Sequence, residues 1–192
     1  FKDITETGGV NGGEGIKTGV CMVDINNDGW LDIFVCKSGF KDPNLRKKIL
    51  YINNHNGTFT DEAAEYGLDE PSFTIQAYFF DYDNDGDRDI INRSGSVAGG
   101  ENFILRNDGG TFVKVADVFA DTQYDLRMTF GDFDNDGDID ALQQESNVVG
   151  QGCIYMQRNA DGTYTRFDQI GTTIPNTPFS SVDFTGLNGT TF

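Results

Sequence analysis

Positive charge is what this chain most lacks. Lys and Arg number 14 against 31 Asp and Glu, so the formal net charge is −17. Such a surface excludes nucleic acid and an anionic membrane face as partners. Long apolar runs are also missing; none approaches the roughly 20 residues that cross a bilayer, so no membrane insertion is expected. An extracellular destination stays open, because a mature secreted chain has lost its signal segment. Histidine occurs once. His55 sits in an Asn- and Gly-rich turn, where a solvated loop residue is a simpler reading than a catalytic base. No nucleophile–base arrangement can be built around it, and no catalytic residue is assigned. Proline is limited to 4 residues while glycine reaches 24, so the turns fall to Gly and Asn. Helical patterns are scarce too. "NLRKKILY" (44–51) and "DEAAEYGL" (61–68) are candidates of a turn or two each, the first also reading as a solubilising loop or edge-strand guard.

Cysteine is limited to 3 residues, Cys21, Cys36 and Cys153. Cys21 and Cys36 flank residues 24–32, and if that stretch joins two antiparallel strands the pair falls nearly opposite. A disulfide is then sterically allowed, with Cys153 left over. The other reading is three buried thiols.

Aspartate and aromatic side chains are plentiful, and both recur periodically. The 16 Phe and 7 Tyr suit strands better than helices. Asp24, Asp81, Asp132 and Asp183 begin similar segments, spaced 57, 51 and 51 residues apart. Before each stands a run with apolar members: "GVCMV", "QAYFF", "RMTFG" and "FSSV". After the first three loops come "IFVC", "IINR" and "ALQQ". A third run follows, "KILYINN", "NFILRND" and "CIYMQRN", and then a shared turn into "NGTFTDEA", "GGTFVKVA" and "DGTYTRFD". Each unit reads as four short strands, which is the signature of propeller-type blades. The expected fold is all-β, with about three full blades of four antiparallel strands and partial blades at both ends.

The alignment of residues 1–9 with residues 59–67 sets the expected boundaries. Residues 1–14 are read as the last strand of a preceding blade. Residues 15–71, 72–122 and 123–176 are read as blades with acidic loops 1, 2 and 3. Residues 177–192 are read as a partial blade whose loop is degenerate, with Thr185, Leu187 and Asn188 in place of the pattern. Closed propellers have four to eight blades. The expectation is therefore that further blades complete the particle, from copies of this chain or from other sequence. End-to-end assembly into a fibre is one form this could take.

The acidic loops are "DINNDGWLD" (24–32), "DYDNDGDRD" (81–89) and "DFDNDGDID" (132–140). Two unit charges about 4 Å apart repel by roughly 4 kcal/mol at an effective dielectric of about 20, so a tight acidic loop calls for a cation within it. Ca²⁺ takes six to eight oxygen ligands, which short carboxylates on a sharply turning loop supply. In the pattern D-x-[DN]-x-D-G-x-x-D, side chains 1, 3 and 5 converge, glycine 6 permits the turn, position 7 offers its carbonyl and position 9 closes the shell. Site 1 is then Asp24, Asn26, Asp28, the Trp30 carbonyl and Asp32. Site 2 is Asp81, Asp83, Asp85, the Asp87 carbonyl and Asp89. Site 3 is Asp132, Asp134, Asp136, the Asp138 carbonyl and Asp140. Three Ca²⁺ would bring the net charge from −17 to −11. An EF-hand needs Glu at position 12 and flanking helices, whereas Val35, Asn92 and Gln143 stand there. Solvated acidic turns do not explain three ordered copies, and catalytic carboxylates do not require three.

These loops, with the "N-x-x-G-T-[FY]" elements between them, resemble FG-GAP/VCBS repeats, the calcium-loop blades of integrin α-subunit-like propellers. The resemblance implies Ca²⁺ between the first two strands of each blade and an extracellular setting, and it implies no enzyme activity. The leading expectation is a calcium-stabilised structural or adhesive module whose partner is a protein or glycan at the extracellular surface, or a copy of itself. The alternatives are a carbohydrate-binding lectin and an accessory domain of a secreted polysaccharide-active enzyme. Trp30 is a candidate sugar or protein contact if its ring is exposed. Asn56, Asn92 and Asn188 begin glycosylation tripeptides, although Asn92 falls within a strand-like run.

Overall fold

The computed structural model describes residues 1–94, 102–115, 127–144 and 153–170. They form two compact units, residues 1–123 and 124–192. The expected all-β class is borne out by three four-stranded antiparallel sheets, each a simple meander. The first holds β1 (Ile16–Val23), β2 (Asp32–Ser38), β3 (Ile49–Asn53) and β4 (Phe59–Asp61). The second holds β5 (Gln76–Phe80), β6 (Asp89–Arg93), β7 (Phe103–Asn107) and β8 (Phe112–Val115). The third, in the other unit, holds β9 (Arg127–Gly131), β10 (Asp140–Gln144), β11 (Cys153–Arg158) and β12 (Tyr164–Ile170).

Hydrophobic burial explains the layering of the first unit. The middle strands β2, β3, β6 and β7 are buried almost throughout, as strands with apolar side chains on both faces must be. Alternate side chains serve opposite faces. Phe34, Cys36, Leu50 and Ile52 from the first sheet join Ala77, Ile90, Phe103 and Leu105 from the second in one core. The Phe34 and Phe79 rings meet edge-on at 5.5 Å within it. Val35, Ile49 and Tyr51 face the other way, under Val10. The two sheets approach closely where Gly19 lies, since a Cβ there would stand 2.6 Å from the Ile75 carbonyl oxygen. In the second unit Tyr155 is the pivot, stacked on Phe167 at 5.6 Å and edge-on to Phe133 at 6.3 Å.

The turn between the third and fourth strands repeats its chemistry as well as its sequence. Asn54, Asp108 and Asn159 each donate a backbone N–H across it, to the carbonyls of Thr58, Thr111 and Thr163, at 3.0, 2.9 and 2.8 Å.

Four expectations need correction. Residues 1–4 lie in no strand, and Thr5–Gly8 is a single helical turn (α1), so the expected opening strand is not formed. The disulfide is not formed either. The ladder sets Cys21 opposite Phe34, and both Cys21 and Cys36 are free thiols. Burial pushes the Cys36 thiol up to about 12. Asn92 lies in β6, 1% exposed, its side-chain oxygen accepting from the Thr74 hydroxyl at 2.6 Å, which leaves no room for a glycan. The two helical candidates shrink to a 3₁₀ turn at Pro43–Arg46 and a hydrogen-bonded turn at residues 62–68. Asn188, Cys153's side chain and the degenerate fourth loop lie outside the described residues.

Candidate metal centres

Each acidic loop joins the first two strands of its sheet, and the three loops share one backbone. Glycine stands at position 6 with φ of 88°, 98° and 95° at Gly29, Gly86 and Gly137. Two positions earlier, Asn27, Asn84 and Asn135 are also left-handed, with φ of 57°, 62° and 62°. Asn tolerates that region better than other side chains. The sequence pattern left position 4 undefined, yet Asn in all three copies was the available signal.

Side-chain oxygens then wind the loop around its first aspartate. Asp24, Asp81 and Asp132 each accept the backbone N–H of position 5, at 3.0, 3.1 and 3.1 Å. Their second oxygens accept the glycine N–H, at 2.9, 3.0 and 3.1 Å. Asp28, Asp85 and Asp136 accept the N–H of position 7, at 2.8, 2.8 and 2.9 Å. Carboxylate oxygens of Asp81, Asp83 and Asp85 thereby come within 4.8 Å of one another, and so do those of Asp132, Asp134 and Asp136. In loop 1 the equivalent set contains Asn26, whose amide donates to Asp28 at 3.0 Å.

Position 9 is used differently. Asp32, Asp89 and Asp140 are 0% exposed. One oxygen of each accepts the N–H of position 2, from Ile25 at 3.1 Å, from Tyr82, and from Phe133 at 3.0 Å. The other accepts an N–H from the third strand, from Asn53, Asn107 and Arg158, at 2.8, 2.7 and 2.8 Å. These aspartates tie the loop to its sheet. Asn53 and Asn107 strengthen the tie by donating side-chain amides to the carbonyls of Leu31 and Arg88. The third-strand residue was missed in the sequence, since its role depends on the ladder register.

Burial drives the electrostatics. It pushes Asp89 up to about 6, against the two N–H bonds that favour the charged form. Asp32 and Asp140 are raised by the same cause. Asp83 is raised by burial and then by the Asp85 charge, and Asp134 by burial and then by Asp136. The buried Oδ1 of Asp83 has no hydrogen-bond partner. A hard divalent cation fits this set: all donors are oxygens, crowded carboxylates need neutralising, and one buried carboxylate oxygen lacks a partner. Asp81, Asp83, Asp85 and their equivalents would hold it.

Each loop also meets one neighbour of its own. His55 Nε2 lies 2.9 Å from Asp28 Oδ2, and its ring stacks on Trp30 at 5.0 Å. The His55 bond is the leading cause that lowers the Asp28 pKa. Arg106 Nε lies 3.8 Å from Asp83, and Gln157 donates to Asp134. The half-buried position 7 aspartates reach neighbouring side chains, Asp87 accepting from Asn27 at 3.1 Å and Asp138 pairing with the buried Arg158 at 2.5 Å.

A strand, a wound acidic loop and a return strand, repeated in three meanders, define a blade-type β-repeat with a cation-suited loop. Residues 24–92 match the family model of the FG-GAP-like repeat, from the first aspartate of loop 1 into β6. Over that stretch the resemblance read from the sequence is borne out. No curated protein matches the chain. Among the described residues, no helix is long and apolar enough to cross a membrane.

Proposed function

We propose that this chain is a calcium-stabilised repeat module of β-propeller type with a structural or adhesive role outside the cell, and that it is not an enzyme. The observation that carries the reading is the shared winding of the three acidic loops, with the same left-handed positions and with carboxylates at positions 1, 5 and 9 of each. An enzyme needs one site of special chemistry, whereas equivalent loops in every sheet serve the architecture. FG-GAP repeats are typically extracellular, which supports that location. Bound Ca²⁺ would offset carboxylate repulsion and hold each hairpin loop in one shape.

The test is calcium stoichiometry by calorimetry or native mass spectrometry. Three ions per chain are expected, and Asp85→Ala or Asp136→Ala should each remove one. A loss of all three on one substitution would mean a single shared cluster and would overturn the ligand assignment.

Carbohydrate binding is a second reading with one observation in its favour. The Trp30 ring is 49% exposed beside loop 1 and is backed by His55. Exposed aromatic faces with polar neighbours suit sugar stacking. A glycan array with the wild type and Trp30→Ala decides it, since only a Trp30-dependent signal supports a lectin.

A further inference from the structure

At the end of the first sheet remote from its acidic loop, two lysines share one turn. Lys17 on β1 and Lys37 on β2 are direct cross-strand partners. Like charges placed so are destabilising. Their ammonium groups nevertheless converge on the same pair of glycines. A Cβ on Gly12 would lie 3.6 Å from Lys17 Nζ and 2.8 Å from its Cε, and a Cβ on Gly13 would lie 3.5 Å from Lys37 Nζ. Both glycines are left-handed, at φ 77° and 57°, and Tyr51 Oη accepts the Gly12 N–H at 2.9 Å. Lys17 finds an acceptor in the Gly13 carbonyl at 2.5 Å.

Lys37 does not find one. The residue is 5% exposed, yet its Nζ reaches solvent, and no side chain or carbonyl of the described residues accepts from it. Burial and then the Lys17 charge push its pKa down, and Asp61 opposes them only in part. The contrast with Lys48 is direct. That lysine is 2% exposed, and its Nζ donates to the Glu70 carbonyl, the Glu70 carboxylate and the Ser72 hydroxyl at 2.7, 3.1 and 2.7 Å. The Lys37 ammonium is left to water, a position that an anionic acceptor can take over.

We propose that Lys17, Lys37 and the Gly12–Gly13 turn form a binding site for a small oxyanion, a carboxylate, sulfate or phosphate group. An oxyanion there accepts from both ammonium groups, removes the cross-strand repulsion and supplies the acceptor that Lys37 lacks. The site stands roughly 20 Å along β1 from the acidic loop, so it does not depend on a cation held there.

The experiment follows the Gly12 and Gly13 amide resonances during titration with sodium sulfate and, separately, sodium glucuronate. Chloride holds the ionic strength constant, and the wild type is compared with Lys37→Met and Lys17→Met. Saturable shifts are expected in the wild type, with affinity roughly tenfold or more weaker in either variant, as for loss of a charge-assisted hydrogen bond. Saturation by sulfate alone assigns a tetrahedral oxyanion, and saturation by glucuronate alone or by both admits a sugar carboxylate. Should Lys37→Met fail to fold, the exposed Lys17→Met carries the comparison. Shifts that do not saturate with either anion, or equal affinity in the wild type and the folded variants, would overturn the site. Calcium stoichiometry is measured independently, so neither result stands in for the other.

Discussion

Gly86 and Asp89 show how much of the acidic loop rests on single residues. Gly86 has φ 98° and open space where a Cβ would be, so Gly86→Ala meets backbone strain and no clash. The expected loss is about 1–3 kcal/mol in chemical denaturation. Asp89 brings a pH dependence with a definite sign. Its folded pKa is raised from 3.8 to about 6, so the calcium-free folded form holds the proton more tightly than the unfolded chain. That contribution to stability is fully present below about pH 4 and is lost as pH rises through about 6. In calcium-free buffer, the melting midpoint of the wild type relative to Asp89→Asn should therefore fall between pH 4 and pH 7. A difference that stays constant with pH would contradict the burial argument.

At the scale of elements, the first unit is held by a core shared between two sheets. Phe34 is 0% exposed and meets Phe79 across that core, so Phe34→Ala is expected to cost about 3–5 kcal/mol. Unfolding of both sheets should shift together in denaturant, since neither keeps its core alone. The loops of those sheets also touch, through Asn27 and Asp87 at 3.1 Å. A double-mutant cycle with Asn27→Gly and Asp87→Ala should give a coupling of about 0.5 kcal/mol or more, against zero for independent loops. Much of this element structure was legible in the sequence. The runs before and after each acidic loop are β1 and β2 and their repeats, and the alternating aspartates mark the loops. Other features depended on ladder geometry. The third-strand partners of Asp32, Asp89 and Asp140 stand 21, 18 and 18 residues away, beyond any local pattern. An irregularity between Lys17 and Val20 shifts the β1–β2 register, and spacing alone did not reveal that Cys21 faces Phe34. Residues 59–61 form a strand because Tyr51, Ile52 and Asn53 pair with them. Residues 1–3 repeat the sequence pattern without forming a strand, since pattern does not supply a ladder partner.

For the whole molecule, the net charge of −17 makes the acidic loops a question of stability. Clustered carboxylates raise the free energy of the folded chain more than that of the expanded one, where they are farther apart. A ligand that binds only the folded form stabilises it by RT ln(1+[L]/Kd), roughly 2.7 kcal/mol per site at a hundred times Kd. The measurement that tests the central claim most directly is the melting midpoint in millimolar calcium and again in excess chelator. Magnesium at the same concentration serves as the control for simple charge screening. The account predicts a midpoint that rises markedly with calcium, falls with chelator and responds far less to magnesium. A midpoint that is the same in calcium and in chelator would contradict it.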